Sequence, residues 1–386
     1  MTTSSDATVL AWQEEGAPRQ ARWRSESGWP APARVQTADD RIPADTAYRL
    51  ACEGTSLLWR GDFQNARQLL QALGRRLDRP PRKAAASAPV SPADAFYRHR
   101  QAQGRRARVL GMLLIEIDGN YGIGLRRAPQ ARAICEETWG PPDGQPCVIA
   151  LREWLGLVGA HEWRKAGVEI AALGQRPNNR IHAHYGVFSP VRGEYLDLIA
   201  AAALPAGASL VWDIGTGTGV IAAVLARRGV ARVVATDLNP RALACARDNI
   251  QRLGLQAQVE LVEADLFPPG TAPLIVCNPP WLPGKPSSAL EHAVYDPDSR
   301  MLRGFLRGLR ERLAPGGEGW LVLSDLAEHL GLRSREELQA LFDVGGLVVR
   351  ERLDVRPRHP KASDADDPLA AARGREVTSL WRLQAG

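Results

Sequence analysis

One segment constrains the fold of this chain more than any other: residues 211–219 read Val-Trp-Asp-Ile-Gly-Thr-Gly-Thr-Gly. An apolar strand pattern is joined there to an apolar helix pattern through Gly215, Gly217 and Gly219. Glycine permits a sharp turn and lets the backbone pass close to a ligand, because it has no Cβ. The N–H groups of such a turn face the start of the following helix, so the segment predicts a ligand-binding unit of a parallel sheet.

The second half of the chain continues this pattern. From about residue 166, apolar strands alternate with helices, which is typical of a parallel sheet covered on both faces. The predicted strands are 210–213, 232–237, 259–263, 274–277, 318–324, 347–355 and 376–383, the last two as an antiparallel pair. The predicted helices are 220–228, 240–253, 301–313 and 335–342, and 356–374 is predicted to be a loop. The pattern predicts an α/β fold with seven strands over residues 166–386.

Residues 1–165 are predicted to form an additional α+β domain. Residues 1–40 are polar and predicted to be irregular, and 79–93 has the composition of a linker. The other predicted elements are helices from Asp62 and from Ser91-Pro92, a strand at 109–118, a turn at 119–122 and a returning strand at 123–127. No motif in this part carries chemistry, so we assign it to substrate recognition by default.

The composition narrows the class of protein. A chain of 386 residues exceeds the usual size of one hydrophobic core, so two domains are expected. The five cysteines are odd in number and show no Cys-x-x-Cys spacing, which indicates neither a disulfide framework nor a zinc site. No apolar run has the length of a membrane span, and no apolar signal segment begins the sequence. We therefore expect a soluble cytoplasmic protein with no membrane partner and no metal.

The residues around the glycine turn indicate its ligand. A dinucleotide-binding enzyme is the competing interpretation, but its turn reads G-x-G-x-x-G and faces a pyrophosphate. Here the spacing is G-x-G-x-G, and Asp213 stands two positions before the first glycine, where it would repel a pyrophosphate and attract an ammonium group. S-adenosylmethionine (SAM) has an ammonium group and no phosphate, so the turn predicts SAM as cofactor. Asp237, at the end of the second strand, is predicted to accept hydrogen bonds from the ribose hydroxyls of SAM.

A second motif, Asn278-Pro279-Pro280-Trp281, follows the apolar run 274–277. A planar NH2 group on a base or an amide is a poor nucleophile, because its lone pair is delocalised. The Asn278 carbonyl and a backbone carbonyl of the proline segment can accept its two N–H bonds, which localises the lone pair. The prolines stiffen this geometry, and Trp281 offers a flat face for stacking. The motif predicts methyl transfer to nitrogen; a proline-rich turn beside a core tryptophan is the structural alternative.

With these motifs, residues from about 181 to 386 resemble the small-methyltransferase-domain family of class I SAM-dependent methyltransferases. The family includes ribosomal RNA guanine-N2 and release factor glutamine-N5 methyltransferases. The resemblance implies a Rossmann-like seven-stranded sheet, an adenine contact from Asp265 and a catalytic role for Asn278 to Trp281. The cofactor-side residues that it implies are Phe188, Arg192, Glu194, Asp213, Gly215, Thr216, Gly217, Gly219, Asp237, Leu238, Asp265, Leu266 and Asn278. Trp281 departs from the family, in which tyrosine or phenylalanine is usual.

The sequence leaves the substrate open. The first interpretation is a base in RNA, guanine N2 of ribosomal RNA, and its support is segment 60–108, which has twelve Lys/Arg and three Asp/Glu. Solvated arginines in an arginine-rich chain are the other explanation of that segment. The second interpretation is a glutamine amide of a translation release factor, which the segment 190–194 fits better. A SAM-binding protein without activity and enzymes acting on DNA or small amines are further alternatives.

Overall fold

The computed structural model describes residues 8–79, 91–286, 290–357 and 369–386. The chain divides into two compact units. The N-terminal unit consists of Met1–Pro89 and Arg98–His161, and the C-terminal unit of Val90–Tyr97 and Glu162–Gly386. The division thus lies between residues 161 and 162, whereas the sequence analysis places it between 165 and 166.

A six-stranded mixed sheet forms the centre of the N-terminal unit. Its strands are β1 Val9–Glu14, β2 Ala17–Arg24, β3 Val35–Ala38, β4 Ser56–Trp59, β5 Leu113–Ile117 and β6 Cys147–Ala150. Their spatial order is β1-β2-β6-β5-β4-β3, with β1 and β2 as well as β5 and β6 antiparallel and the other neighbours parallel. The helices of this part of the chain are α1 Ala44–Cys52, α2 Phe63–Leu77, α3 Pro92–Leu110, α4 Arg132–Trp139 and α5 Leu151–Ala166. Parts of α3 and α5 belong to the C-terminal unit.

Two helix starts confirm the capping predictions. The Asp62 carboxylate accepts a hydrogen bond from the backbone N–H of Gln64 and so begins α2. The Ser91 hydroxyl accepts one from the N–H of Asp94, and Pro92 is the first residue of α3. Both caps satisfy N–H groups that have no partner within the helix. The predicted linker 79–93 falls largely on residues 80–90, outside the described residues.

Three predictions for this unit are wrong. Residues 1–40 do not lack regular structure, because β1, β2 and β3 lie there. In β1, Leu10 and Trp12 are buried while Val9, Ala11 and Gln13 are exposed, and the sequence does not show this alternation because Val9 and Ala11 are apolar too. The strand predicted at 109–118 begins only at Leu113, since α3 continues through the buried Val109. No strand forms at 123–127, and β6 is the antiparallel partner of β5.

The physical reason for the missing strand lies in two arginines. Arg126 and Arg127 form ion pairs with the buried Asp62 carboxylate, at 2.9 and 2.7 Å. Arg127 has a φ of 57°, which is incompatible with an extended strand. These contacts direct the segment toward the start of α2.

A seven-stranded sheet forms the centre of the C-terminal unit. Its strands are β9 Leu210–Ile214, β10 Arg232–Asp237, β11 Val259–Glu263, β12 Ala272–Cys277, β15 Leu313–Ser324, β16 Leu347–Val355 and β17 Thr378–Ala385. Their spatial order is β11-β10-β9-β12-β15-β17-β16, parallel except that β17 is antiparallel to both neighbours. Two-stranded pairs also occur, of β7 Val168–Glu169 with β8 Arg180–Ile181 and of β13 Leu282–Pro283 with β14 Tyr295–Asp296. The predicted seven strands and the terminal antiparallel pair are confirmed.

Helices cover both faces of this sheet, as predicted. They are α6 Glu194–Ala201, α7 Val220–Arg227, α8 Pro240–Arg252, α9 Arg300–Arg312, α10 Leu326–His329, α11 Arg335–Val344 and α12 Ala370–Arg373. Val211 packs in one apolar cluster with α7, and Trp212 packs in another with α9. Because successive residues of a strand face opposite sides, the two clusters lie on opposite faces of the sheet. Of the predicted loop 356–374, residues 358–368 lie outside the described part.

The order of the strands decides where a ligand can bind. The parallel strands β10, β9 and β12 are adjacent, so their carboxyl ends meet at one edge of the sheet. In open parallel sheets, ligands bind beyond this edge, where the strand order reverses. None of the helices within the described ranges is both long and apolar enough to cross a membrane.

Candidate active site

The glycine turn follows β9 at this edge. Gly215, Gly217 and Gly219 have φ values of 73°, 55° and 80°, in the left-handed region that glycine tolerates best. A Cβ added at Gly217 would stand in open space with no atom within 4 Å, which leaves room for a ligand against the backbone. A Cβ at Gly219 would lie 3.2 Å from the Cβ of Ala246, so this glycine allows α7 and α8 to approach closely. The turn thus has the shape that the sequence predicts.

Asp213 lies buried beneath the turn. One of its carboxylate oxygens, Oδ2, accepts hydrogen bonds from the Thr216 hydroxyl at 2.7 Å and from the Ala222 N–H at 3.1 Å. The other, Oδ1, is buried without a hydrogen-bond partner. Burial raises the pKa of Asp213 to about 7. A buried carboxylate with a free acceptor fits a cofactor that brings a positive charge, and SAM does so through its ammonium group and its sulfonium.

The raised pKa of Asp213 predicts a pH-dependent stability. Between about pH 4 and about pH 7 the folded protein retains a proton on Asp213 that the unfolded chain has released, so rising pH lowers the free energy of unfolding. The Asp213→Asn variant has no such group. We expect wild type to lose stability relative to this variant as the pH rises through that window, and to lose no more above it. Urea unfolding of both proteins at several pH values measures the difference; parallel curves would contradict the assignment.

Asp237 ends β10 beside the turn. Its Oδ2 accepts a hydrogen bond from the Gly217 N–H at 2.9 Å, and its Oδ1 accepts one from the Asn239 N–H at 2.9 Å. Burial raises the pKa of Asp237, while these backbone N–H groups oppose that shift. Each carboxylate oxygen has a second lone pair, so the group can still accept hydrogen bonds from a diol. Leu238 is exposed beside it.

Asp265 and Leu266 follow β11 at the same edge. Asp265 is exposed and forms an ion pair with Arg300 at 2.6 Å, a partner that the sequence analysis did not identify. The Leu266 carbonyl accepts a hydrogen bond from the Thr236 hydroxyl at 2.7 Å, and Leu266 has a φ of 72°. An added Cβ at Gly215 would clash with the methyl group of Met301, so α9 also borders the turn. No local motif marks Arg300 or Met301, because helix packing alone brings them here.

Asn278 follows β12, and the strand register defines its position. Cys277, the last residue of β12, pairs in register with Ile214, the last residue of β9. Asn278 and Gly215 are therefore the next residues on two neighbouring strands, whose spacing is about 4.8 Å. The structure thus brings the start of the Asn278-Pro279-Pro280-Trp281 motif and the glycine turn to one edge of the sheet.

Trp281 interacts with Asn278 in a way that the sequence analysis did not anticipate. The indole N–H of Trp281 donates a hydrogen bond to Asn278 Oδ1 at 2.9 Å. The indole ring packs against both core clusters, and the Arg192 guanidinium lies 5.7 Å from its centre. The indole ring that was predicted to stack on a substrate therefore already has neighbours within the protein. The side-chain carbonyl of Asn278 retains one free lone pair.

Arg192, which lies near the Trp281 ring, is itself held by two carboxylates. Arg192 forms ion pairs with Glu194 at 3.4 Å and with Glu376 at 3.0 Å. Glu376 also accepts a hydrogen bond from the Ser324 hydroxyl and is buried. It lies 184 positions from Arg192, so no sequence pattern could have linked them. Phe188 is half-buried.

The described residues also permit a search for a metal centre. No group of three or more His, Cys, Asp or Glu side chains in the described ranges is arranged to hold a metal ion.

Comparisons with known proteins agree with this geometry. A family model described as "Methyltransferase small domain" matches residues 178–350. The release factor glutamine methyltransferase of Cereibacter sphaeroides is 36% identical over 147 residues, which are 37% of this chain and 49% of that protein. The tRNA1(Val) (adenine(37)-N6)-methyltransferase of Bacteroides thetaiotaomicron is 30% identical over 151 residues, 36% of this chain and 62% of that protein.

A third relative is matched over most of its length. The probable cobalt-precorrin-6B C(15)-methyltransferase (decarboxylating) of Methanothermobacter thermautotrophicus is 33% identical over 169 residues, 44% of this chain and 78% of that protein. The chain spans about half the length of the release factor glutamine methyltransferases that it matches. All of these relatives are named as methyltransferases. The chain therefore belongs to the class I SAM-dependent methyltransferases with a methyltransferase small domain, and its cofactor is SAM.

Proposed function

We propose that this chain is an N-methyltransferase that acts on a planar NH2 group of the translation apparatus, in the cytoplasm. One observation carries the proposal: the register of β12 with β9 puts Asn278 beside Gly215. A nitrogen held by Asn278 would then lie next to a cofactor held by the glycine turn. Positioning of this kind converts a bimolecular step into an effectively unimolecular one.

The residues of the turn would hold the cofactor. When bound, SAM supplies a methyl group that its positively charged sulfur makes electrophilic. The backbone of Gly215 to Gly219 would approach the cofactor closely, and the buried Asp213 would lie near its positive charge. The carboxylate of Asp237, which Gly217 and Asn239 orient, would accept the ribose hydroxyls.

Asn278 would orient the substrate. Its Oδ1 accepts the Trp281 N–H with one lone pair and can accept an N–H of the target NH2 with the other. A backbone carbonyl of the proline segment would accept the second N–H, which directs the nitrogen lone pair toward the methyl group. The indole hydrogen bond restrains the Asn278 side chain, and Arg192 restrains the indole in turn.

Two structural observations favour a glutamine amide of a protein over an RNA base. The Trp281 ring is already packed, and an amide needs no aromatic stacking partner, whereas a base usually has one. Several arginines of the basic segment 60–108 are neutralised by carboxylates within the N-terminal unit: Arg60 by Glu14 and Glu116, Arg76 by Asp45, and Arg106 by Asp78. The relatives named as release factor glutamine methyltransferases point in the same direction.

An RNA base remains the second candidate. The relative named as a tRNA adenine-N6 methyltransferase and the net charge of +6 favour it. In either case we assign the N-terminal unit to substrate recognition, because the motifs for cofactor and catalysis lie outside it.

Methyl transfer from isotope-labelled SAM to purified substrates tests the proposal. We expect the full chain to label a translation release factor on a glutamine, identified by mass spectrometry of its peptides, and not to label transfer or ribosomal RNA. Labelling of RNA alone, with a rate that falls steeply with salt concentration, would replace the first candidate by the second. If the protein binds SAM but labels neither the release factor nor RNA, both candidate functions are wrong.

A further inference from the structure

A cavity of about 390 Å³ lies in the C-terminal unit near the start of α9. Its lining includes Pro283, which follows Asn278 by five positions and so lies within about 18 Å of it along an extended chain. Ser299 and Arg303 also line it, from the start of α9, and Arg333 lines it from the loop before α11. None of these residues belongs to the predicted cofactor or catalytic set.

Arg333 is unusual for a buried cation. Its exposure is 7%, and its Nε and Nη2 groups are buried without any hydrogen-bond partner. Within the described ranges the guanidinium forms no ion pair at 4 Å or less. Burial lowers the pKa of Arg333, and the nearby carboxylates of Glu328, Glu337 and Asp296 oppose this shift only from a distance. A buried donor without an acceptor is unfavourable, so such a group suggests a missing ligand.

Ser299 supplies a second polar group to the lining of the cavity. It is also 7% exposed, and its hydroxyl makes no cap hydrogen bond to α9 although it occupies the N-cap position. Asp298 and Ser299 have backbone φ values of 55° and 52°, which residues other than glycine rarely adopt. The N–H groups at the start of α9 are instead capped by the buried Asp296 carboxylate, at 2.9 Å to Met301 and 3.1 Å to Leu302. Ser299 therefore lines the cavity without capping α9.

The charges around the cavity select the type of ligand. Its lining carries two cations, Arg303 and Arg333, and two acids, Asp298 and Glu337. The Glu337 carboxylate accepts the Ser334 N–H and is held near the cavity. A polyanion that filled the cavity would be repelled by both Asp298 and Glu337. A single carboxylate can instead pair with the Arg333 guanidinium without contacting either acid. The Nε and Nη2 groups form one edge of the guanidinium plane, which matches the two oxygens of a carboxylate.

We propose that this cavity binds a carboxylate side chain of the polypeptide substrate, held by Arg333 and Ser299 with Arg303 at the rim. The proposal rests on the protein substrate proposed above. The cavity then selects glutamines that have an acidic residue nearby in sequence or in space.

Binding to peptides without turnover tests this site. The probes are capped peptides that carry one glutamine and one glutamate at increasing separation, and the same peptides with the glutamate as its methyl ester. Their affinity for the full chain, with S-adenosylhomocysteine present, is measured by calorimetry. We expect the acid to bind at least about tenfold more tightly than the ester at one separation. Arg333→Gln is expected to abolish this difference, and Arg303→Ala to reduce it.

Control variants keep the test decisive. Arg307→Ala removes an exposed arginine one turn further along α9 and should leave the difference unchanged. If Arg333→Gln does not fold, as judged by circular dichroism, the double variant Ser299→Ala with Arg303→Ala replaces it and should also lose the difference. Equal binding of acid and ester by wild type would overturn the proposal, as would a difference that survives these variants. Binding of an oligoribonucleotide that depends on Arg333 would overturn it in favour of a phosphate site.

These measurements distinguish a failure of the carboxylate site from a failure of the proposed function. If the protein methylates a glutamine but binds the acid and ester peptides equally, only the proposal of a carboxylate site is wrong. If the protein binds the acid peptide more tightly through Arg333 but transfers no methyl group to glutamine, the proposed substrate of the reaction is wrong. The binding site is then still supported.

Discussion

Replacing Asn278 by alanine is expected to lower kcat by roughly 10²- to 10³-fold while the affinity for SAM stays largely intact. The variant loses the carbonyl that would orient the target NH2, and Asn278 contributes no buried apolar surface to the core. Single-turnover methyl transfer measures the loss, and calorimetry with SAM measures the affinity. Near wild-type turnover would show that the assigned role is wrong.

Trp281→Phe is the matched control for this change. Phenylalanine keeps an aromatic ring at this position and lacks the N–H that donates to Asn278 Oδ1, although its ring is smaller than the indole. If that hydrogen bond positions the asparagine, kcat should fall by about tenfold, with a smaller change in the KM for substrate. A large rise in KM with unchanged kcat would instead indicate that the ring itself contacts the substrate.

Replacing Asp237 by alanine is expected to raise the Kd for SAM by about 100-fold. The carboxylate would accept the ribose hydroxyls, and each hydrogen bond to a charged group contributes about 1.5 kcal/mol or more, so two correspond to about two powers of ten. The change also removes the acceptor that holds the Gly217 N–H in the turn. Calorimetry with SAM and with S-adenosylhomocysteine measures the effect.

Glu263→Ala is the control for Asp237→Ala. Glu263 pairs in register with Asp237 on the neighbouring strand and is exposed, so its removal changes the charge at the same edge without touching the turn. We expect it to leave SAM affinity within about twofold, because exposed charges interact weakly. An equal loss of affinity in both variants would mean that overall charge, and not the Asp237 carboxylate, governs binding.

The part of the site that the sequence predicted is the part made by single strands and the turns directly after them. The glycines, Asp213 and Asp237 belong to one strand–turn–helix–strand segment, and their spacing already restricts the geometry. Their hydrogen bonds with Thr216 and Gly217 follow from that local geometry. Asn278 could be added because the carboxyl ends of parallel strands share an edge of the sheet.

The part that the sequence did not predict depends on contacts between distant segments. Arg300 reaches Asp265, and Arg192 reaches Glu376, through packing of helices and loops that no periodicity records. In the N-terminal unit, the strands β1, β2 and β3 bury only one or two side chains each, so their pattern is weak. There the ion pairs of Arg126 and Arg127 with Asp62 outweighed the strand pattern at 123–127.

The amino-acid sequence was enough to predict the sheet of the C-terminal unit, its glycine turn and the position of the Asn278-Pro279-Pro280-Trp281 motif after β12, because these features require particular residue types at short separations. The tertiary structure alone decided which carboxylates pair with which arginines, that the Trp281 N–H binds Asn278, and that Arg333 is buried without a partner. Hydrogen bonds and ion pairs of this kind depend on distances between atoms that are far apart in the chain, and only the packing of the folded protein sets those distances.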